Sequence, residues 1–153
     1  THCKAALGTL SAFKNKGKEA SNYLSLFKDN GITASSFLSK FQNDTTKATN
    51  FIEKFENDGE RADGYMKKFK DVHEANEFLD KFSGHVDEAD EFLKKFTDGN
   101  EANGYLKRFN NTNEANEFLK KFTDVNKANE YLKKFTNVNE GEIFLQKFND
   151  ENA

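Results

Sequence analysis

Apolar residues return along the chain in one short pattern, seen most plainly at Ala115, Phe118, Leu119 and Phe122. The spacing is i, i+3, i+4, i+7, which puts all four on one stripe of an α-helix. The same pattern recurs from end to end. Aromatic pairs four residues apart stand at Tyr23/Phe27, Phe37/Phe41, Phe51/Phe55, Tyr65/Phe69, Phe78/Phe82, Phe92/Phe96, Tyr105/Phe109, Phe118/Phe122, Tyr131/Phe135 and Phe144/Phe148. With Phe13 they account for every Phe and Tyr in the chain. Three residues before each pair sits an alanine, replaced by Gly141 in the last copy. The first copy is degenerate: Ala6, Leu10 and Phe13 fit, and Thr9 takes the place of the first aromatic.

The polar residues agree with a short helix per copy. Glu114 and Glu117 fall early and Lys120 and Lys121 late, which complements the helix dipole. Glu117/Lys121, Glu77/Lys81, Glu91/Lys95 and Glu130/Lys134 are i, i+4 pairs in the favourable order. Asn100, Asn113, Asn126 and Asn139, with Asp87 in its own copy, stand where N-caps are expected.

Successive copies lie 14 residues apart early in the chain and mostly 13 apart later. At 100° per residue either step would rotate the apolar stripe around a continuous helix, so a single long helix or coiled coil is excluded. Linkers such as Asn57-Asp58-Gly59 and Thr97-Asp98-Gly99 are turn chemistry. The pattern therefore predicts helices of eight to ten residues joined by tight turns. Isolated helices that short are marginal in water, so each must bury its stripe against its neighbours. The expected fold is all-α: a tandem array, an α-solenoid, of about eleven short amphipathic helices with a 13–14-residue repeat. It forms one helical-repeat domain over 1–153, with the degenerate copy at 1–16, regular copies at 17–148 and a short tail at 149–153. Tyr replaces the first Phe at 23, 65 and 105, three copies apart, which suggests a longer three-helix period that Tyr131 then breaks.

Composition changes this picture little. Hydrophobic residues make up only 35% and charged ones 32%, but 17 Phe argue against disorder. There is no proline to break a helix. The net charge of −3 gives no general attraction to nucleic acid or anionic membrane, and no apolar run reaches membrane-spanning length.

The candidate chemistry is sparse. Lys67, Lys68, Lys94, Lys95, Lys107, Arg108, Lys120, Lys121, Lys133 and Lys134 share one column of the repeat and would form a partner-binding ridge if all helices ran one way. The bland reading, a solvated helix face, is the stronger one. His2, His73 and His85 lack metal-ligand spacing, and no catalytic, metal or cofactor motif stands out. No cofactor and no small-molecule substrate are expected, and enzymatic activity is not. A lone Cys3 excludes an internal disulfide and leaves an intermolecular crosslink open. Asn43-Asp44-Thr45 and Asn110-Asn111-Thr112 are glycosylation sequons if the protein is secreted, which the first residue, Thr1, slightly favours.

The architecture resembles α-solenoids in a general way. Its copy length matches none of the tetratricopeptide, armadillo or pumilio motifs. The functional expectation is a non-catalytic scaffold that binds protein partners along its repeated surface, with self-association as a variant. Nucleic-acid binding along the lysine ridge and lipid-surface binding are the alternatives.

Overall fold

A computed structural model describes residues 7–9, 11–14 and 16–151, and of 148–151 the backbone alone. The described residues form helices and turns, with no strand among them. After helical residues at 7–9 and 11–12 come Gly17–Ser25, Gly31–Lys40, Thr45–Glu53, Gly59–Met66, Val72–Lys81, Val86–Leu93, Gly99–Leu106, Thr112–Leu119, Val125–Leu132 and Val138–Glu151. Each coincides with one copy of the sequence pattern, and consecutive helices pack on each other. The chain divides into two compact units, Thr1–Glu77 and Phe78–Ala153.

The two copy lengths correspond to two kinds of turn. Where copies lie 14 apart, two successive residues are left-handed: Lys28/Asp29, Gln42/Asn43, Glu56/Asn57 and Ser83/Gly84. The second of each pair is Asp, Asn or Gly, the types that tolerate this region best. Its N–H donates to the carbonyl five residues back, as in Asp29 to Leu24 at 3.1 Å and Gly84 to Leu79 at 3.0 Å. That bond satisfies a helix-end carbonyl that has no partner within its helix. Where copies lie 13 apart, one residue is missing and no left-handed residue occurs. The chain enters the next helix through a more fully extended N-cap, such as Asp98 (φ −152°, ψ 174°) or Asn111 (φ −153°, ψ 169°), than the caps that follow a left-handed pair, such as Asp44 (φ −76°, ψ 99°).

These caps lie two residues ahead of the expected ones. Asp98 accepts from Glu101 N–H, Asn111 from Glu114, Asp124 from Lys127 and Asn137 from Glu140. Asn100, Asn113, Asn126 and Asn139 are already inside their helices, as is Asp87. The linker Asp and Asn do the capping because only they stand just outside the first turn. The glutamate before the alanine completes the device. Glu74, Glu101, Glu114 and Glu140 reach back to accept from the backbone N–H of Lys70, Thr97, Asn110 and Thr136, a variant of the capping box.

In the first unit the core is a file of rings in mutual contact. Phe13 meets Tyr23 at 5.4 Å between centroids, Phe27 meets Phe37 at 5.5 Å, Phe41 meets Phe51 at 5.6 Å and Phe55 meets Tyr65 at 5.1 Å. Thr9, the substitute for an aromatic, is fully buried. Contacts reach past the nearest neighbour. Gly31–Lys40 packs against Gly59–Met66 two copies on. Gly59 N–H donates to Leu26 carbonyl at 2.8 Å, three copies back. A Cβ on Gly59 would lie 2.7 Å from that oxygen, so only glycine fits there.

The second unit repeats the file. Phe82 meets Phe92 at 5.5 Å, Phe96 meets Tyr105 at 5.5 Å, Phe109 meets Phe118 at 5.5 Å, Phe122 meets Tyr131 at 5.3 Å and Phe135 meets Phe144 at 5.7 Å. Nearly all pairs are tilted, the arrangement favoured by the ring quadrupole. In both units every alanine of the repeat from Ala20 to Ala128 is fully buried. The core also takes in a column three residues before the alanine, where Gly59, Val86, Gly99 and Val125 are buried.

All four tyrosines behave alike. Each hydroxyl donates to the carbonyl at the alanine position of the next copy: Tyr23 to Ala34 at 3.0 Å, Tyr65 to Ala75 at 3.0 Å, Tyr105 to Ala115 at 3.3 Å and Tyr131 to Gly141 at 2.9 Å. Gly64 and Gly104, which precede two of them, have open space where a side chain would stand, so packing does not require those glycines.

Two outcomes follow from the core. Ala115→Leu should destabilise by about 1–3 kcal/mol through overpacking, more than Tyr105→Phe, which removes one hydrogen bond worth about 1 kcal/mol. Urea unfolding followed by circular dichroism would rank them. Burial holds the hydroxyls of Tyr23 and Tyr105 well above the ordinary tyrosine range. Their protonated forms therefore stabilise the fold fully below pH ~10, the unfolded tyrosine value. That contribution is lost as pH rises toward the folded values. Stability in chemical denaturation should fall above pH ~10, before Tyr23 and Tyr105 of the folded chain ionise, and the fall should be shallower in the Tyr23→Phe, Tyr105→Phe double variant.

Candidate interaction surface

The lysine column resolves into two sets with different partners. The first lysine of a copy folds back on its own helix. Lys67 meets Asp63 at 2.7 Å, Lys94 meets Glu91 at 2.7 Å and Lys120 meets Glu117 at 2.6 Å. The hydrogen bonds and charges of Lys94 and Lys120 hold the carboxyls of Glu91 and Glu117 below their ordinary range. These pairs are i, i+3 for the two glutamates, where the sequence suggested Glu91/Lys95 and Glu117/Lys121 at i, i+4.

The second lysine is turned elsewhere. It reaches the residue after the alanine two copies further on: Lys40 to Asp63 at 3.3 Å, Lys54 to Asn76 at 3.1 Å, Lys81 to Asn103 at 2.8 Å and Lys95 to Asn116 at 3.4 Å. Lys121 approaches Glu142 at 3.8 Å in the same way. On its way the ammonium of Lys54, Lys95 or Lys121 lies 5.9, 6.0 or 5.7 Å from the centre of Phe51, Phe92 or Phe118 in its own copy. The lysine stem thus covers an apolar ring while its charged end bonds the next layer. These struts were not visible in the sequence, because periodicity does not say which copy faces which.

Of the other ridge residues, Lys68 is half-buried, and Lys107, Arg108, Lys133 and Lys134 are exposed. Asp63 is the one member of the acceptor column buried to 3% exposure, held between Lys40 and Lys67. His73 lies inside its helix, with Nε2 3.3 Å from Glu77, and His85 is a backbone N-cap without a side-chain cap bond. Among the described residues no group of three or more His, Cys, Asp or Glu could hold a metal ion. His2 and Cys3 lie outside the described residues. Asn43 and Asn110 of the two sequons both stand one residue before an N-cap and are exposed.

Between copies n and n+2 the surface carries grooves of about 500 Å³. One is lined by Glu88, Glu91, Phe92 and Lys95 on one side and Asn113, Asn116, Glu117 and Lys120 on the other. A second, of the same volume, is lined by Glu101, Gly104, Tyr105 and Arg108 facing Asn126, Asn129, Glu130 and Lys133. The two sets are offset by 13 residues throughout, so the second groove is the first one repeated. Each mixes acid, amide and base around an aromatic floor. In the first unit the corresponding groove, about 410 Å³, has Leu26 where the strut lysine belongs and Thr49 where its acceptor belongs.

Comparison with known protein families, with curated proteins and with solved structures finds no match for this chain. Among the described residues, no helix is long and apolar enough to cross a membrane.

The buried and exposed acceptors should respond differently to substitution. Asp63→Ala removes a buried carboxylate bonded by two lysines that keep access to water, and should cost about 1.5–3 kcal/mol. Lys121→Met, which gives up one long ion pair in an exposed setting, should cost less than about 1 kcal/mol. Chemical denaturation of the two variants measures both.

Proposed function

We propose that the chain is an α-solenoid acting as a non-catalytic scaffold, which binds extended segments of protein partners across its repeated grooves. The recurrence of one groove at a 13-residue step supports this reading. A surface that presents the same amides and charges at regular intervals suits a partner that is itself extended. The asparagine amides can donate to and accept from a peptide backbone, while the flanking Glu and Lys select side-chain charge. Catalysis needs unlike residues gathered at one point; here like residues recur at separate points. A basic ridge for nucleic acid has less support, since the first lysines of three copies sit against carboxylates.

A random-peptide library displayed on phage tests the proposal. Peptides enriched on the chain should bind roughly tenfold more weakly, about 1.4 kcal/mol, when Asn113 and Asn116 are both changed to alanine. Changing Asn126 and Asn129 as well should weaken them further. No enrichment, or binding that ignores both groove variants, would overturn it.

A further inference from the structure

Beside its two grooves, the second unit holds a cavity of another kind. It measures about 440 Å³ and is walled by Leu132, Phe135 and Val138. Arg108, from two copies earlier, and Lys133 stand at its edge, and no Asp or Glu lines it. The same cavity stands one copy earlier at about 390 Å³, with Leu119, Phe122 and Val125 as its walls and Lys95 and Lys120 as its bases. The repeat itself therefore makes the hollow, and what differs between the two is chemistry.

In the earlier cavity both bases are engaged. Lys95 donates to Asn116 at 3.4 Å and Lys120 pairs with Glu117 at 2.6 Å, and Asp124 adds a carboxylate to the lining. In the later one these features are lost. Asn137 replaces Asp124 and caps its helix without a charge. Gly104 stands where Glu91 feels the charge of both Lys94 and Lys95. Among the described residues, neither Arg108 nor Lys133 makes a side-chain hydrogen bond or an ion pair, although Glu130 stands three residues before Lys133. Glu140, in the following helix, has its carboxylate turned onto the Thr136 N–H at 3.2 Å.

We infer that this cavity binds a small amphipathic anion, its oxyanion head held between Arg108 and Lys133 and its apolar body against Leu132, Phe135 and Val138. The planar fork of N–H donors on an arginine matches the oxygens of a phosphate or carboxylate, and Lys133 adds a second charge from another copy. The volume lies in the range of small-molecule sites, which are mostly apolar with a few placed polar groups. A bare inorganic ion would leave the apolar walls uncovered. Arg108 and Lys133 also edge the second groove. The inference is nonetheless separate from the peptide reading, because Asn113, Asn116, Asn126 and Asn129 line neither cavity.

Isothermal titration calorimetry with naphthyl phosphate, naphthol and inorganic phosphate tests the inference. Naphthyl phosphate should bind at one site per chain. Naphthol and inorganic phosphate should bind about tenfold more weakly or worse, because each supplies only half of the contact. Arg108→Gln and Lys133→Gln should each weaken naphthyl phosphate roughly tenfold. Circular dichroism should be unchanged, because both side chains are exposed. Gly104→Glu, at a position with open space, and Asn137→Asp, which keeps a helix cap, should weaken binding by restoring the acids of the earlier cavity. Lys95→Gln, in that earlier cavity, should leave binding as it is. The inference is overturned by no binding of naphthyl phosphate, by two equal sites per chain, or by equal binding of inorganic phosphate or naphthol. It is equally overturned by binding that any of the first four substitutions leaves unchanged, or that Lys95→Gln weakens as much as they do.

Discussion

Everything in the array depends on a methyl group. The alanine of each copy is fully buried, and at its position the carbonyl accepts the hydroxyl of the preceding copy's aromatic wherever that aromatic is tyrosine. At Gly141, where the methyl is missing, a built Cβ would lie 3.3 Å from Phe135 and 3.4 Å from Tyr131. A larger side chain there would lift the rings off the helix, and with them the tyrosine bond to the helix carbonyl. Close approach lets helices of eight to ten residues persist although each is too short to stand alone. The rings then stack as one file inside each unit. Tilted ring pairs add about 0.5–1.5 kcal/mol beyond the area they bury.

The struts work on a different scale. A row of helices held by nearest neighbours alone would be nearly additive in stability along its length. Here Lys54, Lys81 and Lys95 tie each copy to the second one on. In the first unit, Lys28 and Gly59 add contacts that span three copies, from Lys28 to Glu60 at 2.8 Å and from Gly59 to Leu26. Most of these bonds are exposed and individually weak. Their effect is to fix which copy lies over which, a register that interchangeable rings do not specify. The buried Asp63 with its two lysines is the strongest such marker, at the one acceptor position where a carboxylate is almost wholly enclosed.

The apolar stripe and the number of helices were legible in the sequence because their spacing has only one helical reading. The caps were not. Asn111 and Asn113 are the same residue type two positions apart, and only the turn geometry decides that the first one caps. The core column at Gly59, Val86, Gly99 and Val125 was missed because its residue types vary, although its place three residues before each alanine is regular. The two lysines of a pair look equivalent in the sequence. Their division into a local pair and a strut arises from which copy lies opposite, a long-range fact that no local pattern contains.

The two turn types also bear on how copies of unequal length share one array. The gain or loss of one residue within a strand or helix shifts every side chain beyond it onto the wrong face. In this chain a single-residue difference falls inside the connection and is absorbed there: the left-handed pair ahead of the cap becomes one residue, the cap itself extends further, and the next stripe arrives in phase. Copies of 13 and 14 residues can therefore stand side by side in one chain with their stripes turned to the same core.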